Sequence, residues 1–262
     1  MDCVTGSPVL LERGNFILKI ADDAAEVEQA LRLRFRVFNQ EQGRLSGISG
    51  LGVDEDKFDS QCMHLVVIDR EANAVVGTYR VHRGDVALRH GGFYSEQEYE
   101  ISGLPEIAGR TLELGRSCVA PEYRSGSVVA MLWSGIAELR HRFGGQYQYL
   151  LGCVSLETTD RLIGHTLMEY IRAKNYLTDQ IWAVSRPGFQ LDAVPAADVR
   201  DFLENRRAEL LAAMPPLFKG YIRLGARFCS EPAYDREFGS IDYLILADYD
   251  KISARYARHF ME

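Results

Sequence analysis

The stretch Thr111-Leu112-Glu113-Leu114-Gly115-Arg116-Ser117-Cys118-Val119-Ala120-Pro121-Glu122-Tyr123-Arg124 constrains the fold of this 262-residue chain more than any other. Leu112, Leu114 and Val119 give it strand character and Pro121 ends the strand. A helical apolar pattern resumes at Val128-Val129-Ala130-Met131-Leu132-Trp133. A strand, a tight turn and a helix in that order present backbone N–H groups and a helix N-terminus to an anionic ligand. Glu113 and Arg116 stand three apart, so a regular strand would place them on opposite faces. If both serve one site, the strand must bulge, and Gly115 is the expected place.

Around this unit the pattern alternates. Residues 16–20 read as a strand, Asp22 as the N-cap of a helix over 23–38, and 62–69 with 74–82 as a hairpin turning at 71–73. Residues 39–60 contain four glycines and no period, which predicts a long mobile loop of the kind that is functional or disordered, and 84–110 reads as a second irregular excursion. A helix over 127–142, a strand over 147–154, a helix over 159–172 and a short strand at 181–185 follow. Helical stretches over 196–213 and 217–224, a strand over 240–247 and a terminal helix over 250–260 close the chain. The expected organisation is an N-terminal tail over 1–15 and one α/β domain over 16–262, elaborated from about residue 195. Its mixed central sheet should carry helices on both faces.

Bulk properties exclude several functions. A net charge of −7 disfavours nucleic acid, which needs a basic face. Five cysteines without a C-x-x-C pair argue for reduced, mostly buried thiols. The six histidines never fall at metal-ligand spacing, and no G-x-S-x-G elbow or Walker loop is present. No run approaches the ~20 apolar residues of a membrane span, and Met1–Gly6 lacks a basic segment leading into an apolar one, so a cytoplasmic protein is expected. Charge is uneven, however. Residues 41–60 hold five acids against two bases, whereas 116–142 hold four arginines against two glutamates. That division suits a cationic acceptor at one place and an acidic carrier at another.

Six pieces of this chain, in order, resemble bacterial acyl carrier protein-dependent N-acyltransferases that make lyso-ornithine lipid. They are Leu33–Phe38, Val53–Asp59, Gly77–Arg80, Phe93–Tyr99, Leu112–Val119 and Pro215–Tyr221. Those enzymes belong to the GCN5-related acetyltransferase-like superfamily. The first half also looks like acyl-homoserine-lactone synthases through Arg34-x-x-x-Phe38, Asp56-x-x-Asp59, Arg80 after a glycine-containing strand, and Glu113-x-x-Arg116. The resemblance implies a GNAT-like fold. It also implies transfer of a (3-hydroxy)fatty acyl group from the phosphopantetheine thioester of acyl carrier protein to the α-amine of ornithine, with no further cofactor and no metal. Two alternatives stay open: an N-acyl amino acid or acyl-homoserine-lactone synthase with another amine, and a non-catalytic acyl-binding module.

Site expectations follow. Aminolysis of a thioester needs a base for the amine, and Glu113, between two leucines, is the candidate, with an edge-strand glutamate paired to a basic side chain as the rival reading. Arg116 is expected to orient a carboxylate or hold Glu113, with a structural salt bridge as its rival. The resemblance assigns Arg34, Phe38, Asp56, Asp59 and Arg80 to the acceptor, with a structural clamp of the aspartates on Arg34 and Arg80 as the rival reading. It assigns Ser117, Cys118, Val119, Arg124, Ser125, Gly126 and Ser127 to the donor, although a turn with one glycine departs from the usual phosphate-binding pattern. Lys219, Arg223 and Arg227, spaced four apart among apolar residues, would rest on an anionic surface of the inner membrane, grip an acidic carrier, or simply face solvent.

Overall fold

The computed structural model describes residues 7–41 and 52–252. The elements in chain order are β1 (Val9–Arg13), β2 (Phe16–Ile20), α1 (Ala24–Phe35), β3 (Met63–Asp69), β4 (Ala74–Arg83), α2 (Gly84–Ala87), β5 (Tyr99–Ser102), α3 (Leu104–Ile107), β6 (Thr111–Val119) and α4 (Ser127–Arg142). Then come β7 (Tyr149–Leu156), α5 (Arg161–Ala173), β8 (Trp182–Ser185), α6 (Ala196–Asn205), α7 (Arg207–Ala213), α8 (Pro216–Leu224), β9 (Arg227–Phe228), β10 (Ala233–Asp235) and β11 (Ser240–Asp248). The described residues divide into two compact units, one built from residues 7–41, 52–87 and 112–148, the other from 88–111 and 149–252.

In the first unit β1, β2, β3, β4 and β6 pair in that order, each antiparallel to the next. The strand β1 lies where a tail was expected; its backbone pairs with β2 and so satisfies that strand's outer edge. Asp23, not Asp22, caps α1: its carboxylate accepts from the Glu26 N–H at 2.8 Å, while Asp22 pairs with Lys19 at 2.5 Å. The helix widens into a π-turn over Arg36–Glu41. The β3–β4 turn is held by Asp69, which accepts from the Glu71 and Ala72 N–H groups and from the Tyr123 hydroxyl, and Asn73 adopts φ 49°. Helix α4 covers the face of the sheet opposite α1. Gly77 permits its approach, since a Cβ there would lie 2.4 Å from Val128 Cγ1.

In the second unit β11 pairs antiparallel with β7, β10 and β9, and β5 pairs antiparallel with β8. Parallel bridges Leu177–Phe228 and Ala183–Ser230 mix the pattern. Thus the excursion over 84–110 contains a strand, β5, whose partner lies some 80 residues away in sequence. Phe218 of α8, Phe228 of β9 and Tyr243 of β11 form an aromatic core with ring centres 5.2 to 6.1 Å apart. The helical stretch expected over 196–213 breaks at Arg206, whose φ of −124° leaves the helical region. Of the expected terminal helix, a 3₁₀ turn over Tyr249–Lys251 is seen, and residues 253–260 lie outside the described residues.

Candidate active site

Strand β6 does bulge. Arg80 of β4 stands opposite Gly115 and Thr78 opposite Cys118, so two steps on β4 match three on β6. Gly115 stays in the ladder, and Arg116 takes the left-handed conformation, φ 50°. The additional residue turns the Arg116 guanidinium to the α1 face, where its Nη2 lies 3.3 Å from Asp56 Oδ2 and its Nε 3.6 Å from Asp54 Oδ1.

Most of the charged positions singled out in the sequence meet on that face. Arg34, fully buried on α1, donates from Nε to Asp54 Oδ1 at 2.9 Å and from Nη1 to Asp59 Oδ1 at 2.6 Å. Arg80 donates to Asp56 Oδ2 at 2.7 Å and to Asp59 Oδ1 at 3.1 Å. Asp59 also accepts from the Asp56 backbone N–H at 2.7 Å. Burial alone would raise the Asp59 carboxyl; the hydrogen bonds and charge of Arg34, with the charge of Arg80, outweigh it and hold the group at about 2. Asp59 is therefore committed to the two arginines and closes the loop onto the sheet. Asp56, nearer the surface, is shared between Arg80 and Arg116.

Glu113 is buried on the same face, directly across the ladder from His82, whose Nδ1 lies 3.8 Å from Glu113 Oε2. Phe58 meets the His82 ring edge-on at 6.0 Å. Beside them burial pushes the Cys62 thiol up to about 12 although Arg80 opposes it, so that thiol is no nucleophile at neutral pH. Buried His64, with Nε2 3.2 Å from the Asp59 carbonyl oxygen, is pushed below its ordinary value by desolvation and stays neutral.

Other predicted positions lie elsewhere. Phe38 packs against the apolar cluster of Ala30, Leu33, Val37, Val66 and Val75. Cys118 is buried in that cluster, its thiol also pushed up to about 12 by burial. Gly126 provides the left-handed residue, φ 102°, that opens α4, and the Ser125 and Ser127 hydroxyls are 3.3 Å apart. Arg124 is oriented by two contacts: its Nε donates to the Val119 carbonyl at 3.0 Å, and its Nη groups reach Glu41 at 2.5 and 2.7 Å. Sequence reasoning missed Asp54 and His82. The first stands inside the acidic run, and the second follows Arg80 by the two residues that keep it on one face of β4. Two carboxylate groupings among the described residues have metal-like spacing. Asp22, Asp23 and Glu26 lie near the surface beside Lys19, and Glu98, Asp235 and Asp242 are buried in the second unit.

Chemically, the face offers a buried carboxylate at Glu113, the Arg116 guanidinium on the same side of the sheet, and acidic side chains held by arginines. Nearby, the start of α4 offers N–H groups suited to an anion.

An acetyltransferase (GNAT) domain matches residues 33–134. An L-ornithine N(alpha)-acyltransferase of Agrobacterium fabrum is 36% identical over 261 residues, covering 94% of this chain and 85% of that protein. One from Brucella abortus is 34% identical over 267 residues, covering 97% and 92%. Among solved structures, an N-acyl amino acid synthase from uncultured soil microbes superposes with a TM-score of 0.52 at 10% identity, covering 90% of this chain and 94% of that one.

Proposed function

The chain belongs to the L-ornithine N(alpha)-acyltransferase family, and we propose that it moves a 3-hydroxyacyl group from acyl carrier protein to the α-amine of ornithine, giving lyso-ornithine lipid. The observation that carries the mechanism is the bulge in β6, which sets Arg116 on the face occupied by buried Glu113. In this reading ornithine's carboxylate pairs with Arg116 and its side-chain ammonium approaches Asp56, leaving the α-amine over Glu113. Glu113 takes one proton from the amine as nitrogen attacks the thioester carbonyl. The C–N bond forms, the C–S bond breaks, and the departing pantetheine thiolate takes that proton back from Glu113 and leaves as the thiol. The first turn of α4, with Ser125, Gly126 and Ser127, receives the phosphate of the donor arm.

The carrier-protein donor accounts for cations in a chain of net charge −7. Leu217 and Arg223 are exposed and Lys219 is half-buried on α8, and Arg227 is exposed at the start of β9. They offer a surface to an acidic carrier in the cytoplasm, or to the anionic inner membrane that takes up the amphiphilic product.

The test is purified protein with 3-hydroxyacyl carrier protein and a panel of amines, the products read by mass spectrometry. N-acylornithine as the main product supports the reading; acylation of another amine with ornithine inert would overturn it. Glu113→Gln is expected to lower kcat about 10²-fold while the fold persists. Carrier binding should weaken steeply with salt, and salt-independent catalysis with free acyl-coenzyme A would reject the carrier as donor.

A further inference from the structure

We propose that His82 is a positioning residue for Glu113, holding the carboxylate in the orientation in which it receives the acceptor's proton; this rests on Glu113 being the base. The register of β4 against β6 places the two side chains directly opposite one another on the charged face. Both are almost wholly buried, with 2% and 4% of their surface exposed, and His82 Nδ1 lies 3.8 Å from Glu113 Oε2.

Phe58 stands against His82 with an interplanar angle of 67°, and the Phe58 backbone N–H is fixed to Asp56 Oδ1 at 2.8 Å. The imidazole is thus supported by the same acidic segment that binds Arg80 and Arg116. Beside the pair, the Cys62 thiol feels the charges of Glu113 from β6, Arg80 from β4, and Asp56 and Asp59 from the loop segment.

The second histidine on this face, His64, has its Nε2 3.2 Å from the Asp59 carbonyl oxygen and 3.9 Å from Asp59 Oδ1, a carboxylate already bound by Arg34 and Arg80. His82 approaches the carboxylate of its cross-strand neighbour, Glu113. A separation of 3.8 Å exceeds a formed hydrogen bond, and such contacts in ligand-free sites tighten when substrate arrives. With the proton on Nδ1, the imidazole would donate to Oε2 and leave Oε1 directed at the amine.

The experiment compares wild type, His82→Phe, His82→Asn, Glu113→Gln and the double variant His82→Phe/Glu113→Gln. For each, kcat and the two KM values are measured alongside Tm. His82→Phe is expected to lower kcat about 10- to 100-fold with the donor KM within about twofold. His82→Asn, whose amide N–H replaces Nδ1–H, should recover most of that loss. In the Glu113→Gln background His82→Phe should cost almost nothing more, because the group it positions is gone. Wild-type kcat in His82→Phe with Glu113→Gln inactive overturns the positioning role and leaves the proposed function standing. So does an equal further loss in the double variant, or an Asn variant no better than Phe with kcat tracking Tm. Wild-type kcat in Glu113→Gln instead overturns the proposed base itself.

Discussion

Successive residues of β3, β4 and β6 face opposite sides of one sheet, and the two sides are held by different physics. Toward α4 lie Leu65, Val67, Gly77, Tyr79, Val81, Leu112 and Leu114, all buried, with Tyr79 edge-on to Trp133 at 6.3 Å. Toward α1 lie His64, Arg80, His82, Glu113 and the bulged Arg116, facing Arg34, Asp54, Asp56 and Asp59. The α4 face is stabilised by area removed from water and by fit, terms that tolerate any shape filling the space. On the α1 face each buried charge is stable only while its partner is fixed, so the site's geometry and the unit's stability depend on the same bonds. The segment that follows the glycine-rich sequence 43–52 is tied down in this way: Arg34 binds it at both Asp54 and Asp59.

The largest expected effect breaks the charged face. Arg34→Met leaves Asp54 and Asp59 without their main partner in a desolvated place, and should cost about 3–5 kcal/mol in urea unfolding. A loss below about 1 kcal/mol would mean that the ion cluster does not hold the loop.

A smaller effect follows from the Asp59 carboxyl, depressed from 3.8 to about 2. A depressed folded-state value contributes stability that is present above the unfolded value and lost as pH falls through the folded one. The contribution, about 2 kcal/mol, should therefore be complete above pH 4 and disappear toward pH 2. Asp59→Asn should flatten that part of the stability–pH curve. An unchanged acid limb in the variant would place the titrating group elsewhere.

The α4 face is sharpened by Gly77→Ala. Its new Cβ would fall 2.4 Å from Val128 Cγ1, forcing α4 outward or Val128 off its rotamer, at about 1–3 kcal/mol. Pairing it with Val128→Ala should restore most of the loss, since this clash is steric; no restoration would point to strain in the β4 backbone.

The alternation that separates these faces is what the sequence displayed most clearly. Period-2 runs marked β3, β4 and β6, and the proline stop with the following 3.6 period marked α4 within a residue. The need for a bulge was legible from the three-residue spacing of Glu113 and Arg116. Its location was not, because Gly115 looked the natural residue for φ > 0 and the ladder kept it regular instead. Long-range pairing also escaped: nothing local in Tyr99–Ser102 announces Trp182–Ser185 as its partner. The division of labour between Asp56 and Asp59 depends on which carboxylate the closed loop carries into the interior, and sequence spacing treats the two alike. His82 escaped because a single histidine in a strand has no signature until its cross-strand neighbour is known.

The smallest expected effect belongs to a charge pair outside the cluster. Arg124 and Glu41 meet through two bonds of 2.5 and 2.7 Å, better geometry than several contacts of the buried cluster, yet their side chains remain 42% and 38% exposed. Water already solvates both ends, so little is gained on pairing and little is left uncompensated on removal. Glu41→Gln should therefore change unfolding free energy by less than about 1 kcal/mol, and raising salt should erase even that, whereas the cost of Arg34→Met should persist. The measurement is paired urea titrations of both variants at low and high salt. If Glu41→Gln proved as costly as Arg34→Met, burial would not be what distinguishes the charged face, and the contrast between the two kinds of ion pair would fail.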